Sequence, residues 1–166
     1  MKATEESSET IQREKQEAED KVTFYENKYK RLEFAVAAYE KVSENLKNRL
    51  VNILKSGNVY QIVSAAGNWS NIEEVWMFIK KRIIENETEN VRELTTVFSV
   101  MLEVFNTING VARYELIRPS VGARFDSDFH SIKGVKTDGQ IEKVLLDGIY
   151  DTKEKKVVFK TLVQVG

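Results

Sequence analysis

Between Thr10 and Leu54 the chain contains neither Gly nor Pro, and this stretch limits what the protein can fold into. Nearly every residue in it is a good helix former. Apolar or aromatic residues fall at Ile11, Ala18, Val22, Tyr25, Tyr29, Leu32, Val36 and Tyr39, and from Ala18 the steps alternate four and three. This is a heptad seam, with Ala18, Tyr25, Leu32 and Tyr39 on one row and Val22, Tyr29 and Val36 on the other. A helix of that span is on the order of 65 Å long at ~1.5 Å per residue. A compact domain of this chain length is only roughly 30–35 Å across. No second helix of comparable length follows, so the seam from Ala18 to Tyr39 predicts a homodimer. The plainer alternative is a long amphipathic helix inside a larger helical protein. Before Ala18 the seam is thin, with Lys15 at an apolar position. After Tyr39 the spacing becomes Val42, Leu46, Leu50 and Ile53, close to a 3.6-residue stripe, as in a helix leaving a two-stranded coiled coil for a bundle.

Composition removes several function classes. The 25 basic and 26 acidic residues give a net charge of −1, which offers no electrostatic case for nucleic acid or an anionic membrane. Charged residues make up 31% of the chain, a level suited to long exposed helices. The absence of cysteine excludes disulfides, thiolate catalysis and cysteine-ligated zinc, and fits a reducing compartment. A single histidine excludes a two-histidine zinc motif. No apolar run reaches the ~18–20 residues of a membrane span. Met1 to Glu9 is polar and acidic, without the basic start and apolar run of a signal peptide. A soluble, cytoplasmic protein is expected.

Taken in order, Met1 to Glu9 reads as a polar lead-in that frays or extends the long helix, which should stop near Ser56-Gly57-Asn58. Val59 to Ala66 reads as a short helix and Gly67-Asn68-Trp69 as a loop. Ser70, with Glu73 three residues on, forms a capping box for a helix whose apolar face is Ile72, Val75, Trp76, Ile79 and Ile83. After a polar break at 86–90, a third helix carries Val91, Leu94, Phe98, Met101 or Leu102, Phe105 and Ile108 and ends at Asn109-Gly110. Beyond Gly110 the pattern turns to strands at 112–117, 131–135, 141–149 and 157–165, the last alternating with period two. The expected fold is α+β in three parts: 1–57 a long dimerisation helix, 58–110 a helical bundle segment, and 111–166 a compact β unit.

Site chemistry is sparse. Gly67, Gly110, Gly122, Gly134, Gly139 and Gly148 are too scattered for a phosphate-binding loop. No nucleophile elbow is present. His130 is the one candidate general base. Its setting beside Phe125, Asp126, Asp128 and Phe129 in a predicted turn favours a structural role, with Asp126 a plausible cap. Trp69 and Trp76 read as bundle contacts ahead of surface anchors. No catalytic residue, metal, cofactor or small-molecule substrate is expected.

Phe125-Asp126-Ser127-Asp128-Phe129-His130 resembles the F-D-P-x-x-H signature of the GrpE family, the nucleotide exchange factors of DnaK-type chaperones. Gly139-Gln140-Ile141-Glu142-Lys143-Val144-Leu145-Leu146-Asp147-Gly148-Ile149 resembles that family's G-x-I/V-x-x-V-x-x-x-G-Y segment, and Val157 to Val165 its last strand. Gly110-Val111, at the switch from helix to β structure, also matches, and Tyr25-Glu26-Asn27-Lys28-Tyr29-Lys30-Arg31 is similar to F-E-N-Y-R-K-R on the family's long helix. The chain departs from the pattern at Ser127, at Ile149, and at Phe159-Lys160-Thr161, where the family has R-P-A. The resemblance implies a parallel homodimer whose paired helices lead into a four-helix bundle, with two short helices from each subunit and a β wing on each side. It implies that a wing docks on the nucleotide-binding domain of a DnaK-type chaperone and opens its cleft so that ADP leaves. Implied partner contacts are Glu26, Asn27, Lys30 and Arg31 on the helix, and Leu145 and Val165 on the wing. Gly148 is implied as a structural position. The alternative is a subunit of the same fold that holds a partner in a larger assembly without exchange.

Overall fold

The computed structural model describes residues 2–166, apart from the side chains of residues 2–9, Asn27 and Lys28. The described chain is α+β. It has α1 (Lys2–Glu40), α2 (Glu44–Arg49), α3 (Val59–Ala66), α4 (Trp69–Ile84) and α5 (Val91–Ile108), then β1 (Tyr114–Ile117), β2 (His130–Ile132), β3 (Ile141–Leu146), β4 (Gly148–Asp151), β5 (Lys156–Phe159) and β6 (Thr161–Val165).

The long helix stops earlier than its composition predicts. It ends at Glu40 rather than near Ser56, and the chain turns at Lys41–Ser43 before α2. Ser43 is extended, as an N-cap must be. Asn90 fixes the turn from 47 residues away: its side chain accepts from Ser43 N at 3.0 Å and donates to Lys41 O at 3.1 Å. Asn90 itself is left-handed at φ 55°, a conformation Asn tolerates. Doubling back places Val42, Leu46, Leu50 and Leu54 in the interior. Tyr39, expected on the dimer seam, is therefore interior too. It is 2% exposed and its hydroxyl donates to Leu54 O at 2.8 Å. Its ring fills the space beside Gly57, where φ is +63° and any Cβ would collide with it.

The last third of α1 packs on α5 and α3, and α4 closes the other side of α5. Helix α5 is accordingly buried along most of its length, through Leu94, Val97, Phe98, Val100, Met101 and Leu102. One chain thus forms a helical bundle by itself, where the resemblance implied a bundle shared between subunits. Leu32 and Val36 are half-buried against this core, whereas Val22 is 56% and Tyr25 54% exposed. The seam divides at about Leu32 into an exposed stretch and one that the chain covers itself. Helix α4 is capped by Asn68, whose Oδ1 accepts from Ser70 N at 3.1 Å, and not by the Ser70 capping box.

The strands form two three-stranded sheets, ordered β1-β4-β5 and β2-β6-β3. The first is antiparallel; in the second β6 pairs parallel with β2 and antiparallel with β3. The run from Val157 to Val165, expected as one strand, divides at Lys160 so that β5 belongs to one sheet and β6 to the other. The run 141–149 divides likewise at Asp147. The two passages touch at Gly148, whose N donates to Thr161 Oγ1 at 3.0 Å while that hydroxyl donates to Ile117 O at 2.8 Å. A Cβ on Gly148 would run into Phe159 O and Thr161 N, so close approach requires glycine here. At the β4–β5 turn, buried Asp151 accepts from Arg113, whose guanidinium holds that carboxyl below its usual range, and from Lys153 N and Glu154 N.

The parts expected as separate units share one core. Residues Leu46 and Leu54, all of α3 to α5, and Tyr114, Leu146, Ile149 and Leu162 contribute to it; only Ile141, Val163 and Val165 form a second, small cluster. Trp76 stacks on Phe159 at 4.3 Å and donates through Nε1 to Asp147 O at 2.8 Å. Trp69 stacks on Tyr114 at 3.8 Å. Both tryptophans are thus packing residues, and they join bundle to wing. Replacing Gly148 by Ala should destabilise the protein by about 1–3 kcal/mol, as overpacking does. A denaturant titration checks it; an unchanged midpoint would mean that the crossing tolerates a methyl group.

Candidate docking surface

The expected partner contacts lie on two elements, and the structure treats them differently. Glu26, Lys30 and Arg31 are exposed on α1; the side chain of Asn27 lies outside the described residues. Arg31 Nε sits 3.0 Å from Glu103 Oε2 on α5, and Lys30 Nζ lies 6.0 Å from the centre of the Phe34 ring. Of the two wing positions, Val165 is buried, at 6% exposure, and Leu145 is half-buried. Val165 on β6 packs with Ile141 and Val163, whereas Leu145 on the edge strand β3 lies against the core shared with the bundle.

What the fold does bring together is Arg31 and strand β1. A shallow depression is lined by Arg31 on α1, Leu102 and Glu103 on α5, and Glu115, Leu116 and Arg118 on the wing. Leu102 and Leu116 give it an apolar floor, and the charged groups stand at its rim. Arg118 Nε lies 2.7 Å from Asp147 Oδ2. Arg31, Glu103 and Arg118 are exposed and Asp147 is half-buried, so the Arg31–Glu103 pair adds little to stability and both arginines are open to a partner. Asn106 holds the wall of the depression: its side chain donates to Tyr114 O at 2.8 Å and accepts from Tyr114 N at 3.1 Å. This covers one end of the β1 edge, where open backbone groups would otherwise invite strand pairing. Sequence reading reached Arg31 but not the wing residues, since β1 meets α5 only in the folded chain.

The motif turn is structural. His130 N and Phe129 N both donate to Asp126 O, and Asp128 N donates to Asp126 Oδ1 at 2.9 Å, so Asp126 does cap the turn. Asp126 N in turn donates to His130 Nδ1 at 3.0 Å. His130 is 8% exposed and its ring lies 5.9 Å from the Phe125 ring, while Phe129 is 40% exposed. Nδ1 accepts a hydrogen bond, so this geometry requires the neutral ring. Burial lowers the His130 pKa, opposed by the nearby Asp126 charge. Among the described residues no group of three or more His, Asp or Glu side chains is placed to hold a metal ion. No described helix is long and apolar enough to cross a membrane.

Comparison of the chain with protein-family models, with curated proteins and with solved structures returns no match.

Because the folded His130 binds a proton less readily than the unfolded one, stability should fall as pH drops below the ordinary histidine value near ~6.5, and level off below the folded pKa. His130→Ala should remove that slope while lowering the melting temperature at pH 8. A pH series of thermal melts of both proteins checks this. An identical slope in the variant would assign it to other groups.

Proposed function

We propose that the chain is a homodimeric co-chaperone of the GrpE type that promotes ADP release from a DnaK-type chaperone. The observation that carries the reading is the depression shared by Arg31 on the long helix and β1 on the wing. A factor that opens a cleft must hold its partner from two sides, and here one concave surface spans helix and wing. The order of elements follows what the resemblance implies, a long helix, shorter helices and then a β unit, which in this chain has six strands in two sheets. The turn at Phe125–His130 is held by the residues that carry the motif.

In this reading the protein performs no bond chemistry. It binds the open, nucleotide-free form of the chaperone more tightly than the closed form and so shifts the population toward it. Such work needs a stiff lever. The stacks of Trp76 on Phe159 and Trp69 on Tyr114 supply one by tying the wing to the bundle. The Lys133 ammonium adds a third tie, donating to Ile83 O and to Asn86 Oδ1 at the end of α4. Arg31 and Arg118 steer an acidic partner surface and then exchange their intrachain carboxylates for those of the partner.

A second reading has one observation in its favour. Of Leu145 and Val165, the positions at which the family presents apolar contacts, Val165 is buried and Leu145 is half-buried. A wing without them fits an adaptor that holds a chaperone or another assembly without driving exchange.

Stopped-flow release of a fluorescent ADP from a DnaK-type chaperone separates the two. Exchange predicts acceleration at micromolar protein. It also predicts that Arg31→Glu with Arg118→Glu slows association by about tenfold or more at low salt, as loss of electrostatic steering does. No acceleration, with the chaperone still captured in the absence of ATP, establishes the adaptor. Neither effect rejects both.

A further inference from the structure

Where α1 runs beside the first turns of α5, the small side chains of Ala37 and Ala38 leave a groove of about 360 Å³. It lies away from the heptad seam. Phe34, which lines it, follows Tyr25 by nine residues and so stands half a turn round the helix from the seam. Phe34 is 49% exposed and forms the apolar wall together with the two alanines. Arg31, Lys41 and Arg92 carry the positive charge of the groove, against one acid, Glu93.

Three cations against one acid is a local imbalance in a chain whose net charge is −1. Arg31 is engaged with Glu103. Lys41 and Arg92 are exposed, and among the described residues neither forms an ion pair. Lys30, whose Nζ lies 6.0 Å from the centre of the Phe34 ring, adds another positive charge at the rim. The backbone adds to the same sign. Asn90 commits its side chain to the Lys41–Ser43 turn and gives α5 no side-chain cap. The positive end of α5 therefore lies uncapped at the Arg92 end of the groove.

These features select among ligands. A single nucleic-acid strand is held by a long basic track with several stacking rings, and the groove has one exposed ring. A short peptide needs only what is present: cations for its carboxylates and an apolar wall for one side chain between them. Arg31 lines both this groove and the depression beside β1. A chain segment leaving the depression past Arg31 thus enters the groove directly.

We propose that the groove of Phe34, Ala37, Lys41 and Arg92 receives an extended acidic segment of the docked partner, with one apolar side chain against Phe34 and carboxylates on Lys41 and Arg92. The proposal rests on the docking reading above and adds the chemical class of the segment bound next to the depression. Because the cations stand at an open rim, this contact reads the sign of the segment's charge more than its exact sequence.

Fluorescence anisotropy on the full chain tests it with three labelled probes. One is a short peptide of Asp and Glu around a central Leu, one is the same peptide with Asn and Gln for the acids, and one is a short oligothymidylate. The groove variants are Lys41→Glu with Arg92→Glu, and Phe34→Ala. Lys153→Glu with Lys155→Glu, on the exposed β4–β5 turn, makes the same change in net charge elsewhere, and circular dichroism melts show that each variant folds. The acidic peptide should bind about tenfold or more tightly than the neutral one, and the Lys41 and Arg92 pair should remove that advantage. Phe34→Ala should weaken the acidic peptide several-fold, and the Lys153 and Lys155 pair should leave it within about twofold, as remote screened charges do. An equal loss in the Lys153 and Lys155 pair would show attraction by net charge alone and overturn the groove. Equal binding of both peptides, or tighter binding of the oligothymidylate, would overturn it too. No peptide binding, with ADP release accelerated and slowed by Arg31→Glu with Arg118→Glu, overturns the groove and leaves the docking reading intact. Groove-specific binding without accelerated release supports the groove and counts against exchange.

Discussion

The turn at Lys41–Ser43 decides how much of the long helix the chain can cover by itself. Had α1 continued to Leu54, Val42, Leu46, Leu50 and Leu54 would have prolonged the outward stripe, and the near side of α5 would have lacked those partners. The turn brings all four into the core with Tyr39 and Ala35. Its fixation is remote: Asn90 satisfies both an N–H and a C=O of the turn, which would otherwise stand unpaired beside a buried Val42. Asn90 is itself placed by the α4–α5 connection, where buried Arg82 binds Glu87 at 2.7 Å and Glu89 O at 3.1 Å. The same connection reaches the wing, since Asn86 accepts from Lys133. One short polar loop therefore connects the base of the long helix to the β unit.

That arrangement gives the molecule its mechanical character. A β unit of six short strands, in two sheets that exchange strands at Asp147 and Lys160, has little core of its own; Ile141, Val163 and Val165 are its separate cluster. Both sheets instead share the bundle's core, the first through Tyr114 and Ile149 and the second through Leu146 and Leu162, with Trp76 stacked across the joint. Local opening of the wing would expose part of the bundle core, so wing and bundle resist displacement together. The exposed end of α1 is the opposite case. Its side chains from Thr10 to Arg31 are exposed wherever they are described, and its Arg13–Glu17 and Lys15–Glu19 pairs are solvent-facing contacts of small value.

Much of this order is legible in the sequence, and the misses have a common cause. Helices α3 and α5 end where Gly67 and Asn109-Gly110 say they should, because those signals are local. The role of His130 follows from its neighbours within five residues. The turn at Ser43 has no Gly or Pro to announce it and depends on Asn90, far along the chain. The division at Lys160 interrupts an unbroken period-two pattern, because alternation reports a strand but not the sheet it joins; the crossing is set by Gly148 against Thr161. Ser70 and Glu73 formed a credible capping box, but Asn68 two residues earlier captures the Ser70 amide. Leu145 and Val165 were placed by analogy, and analogy cannot say which face of a small sheet packs inward. The Arg31 depression needs α1, α5 and β1 to meet, which no window of sequence contains.

Burial of Val165, and the half-buried position of Leu145, also constrain how a partner could engage this wing. An apolar contact strong enough to anchor a partner is desolvated at the centre of an interface and ringed by polar groups. The positions implied by the resemblance are Leu145 on β3 and Val165 on β6, and of these Val165 is buried. Moving the centre to the depression places Leu116 and Leu102 at its floor and Arg31, Glu103, Glu115 and Arg118 around it. The partner would then bear on the joint between α5 and β1 instead of on the far end of the wing. A load applied at the joint has a shorter lever arm, so opening a cleft from there demands tighter binding for the same displacement. The exchange reading thus requires a partner surface whose charges match Arg31 and Arg118 closely, whereas a holding role makes no such demand.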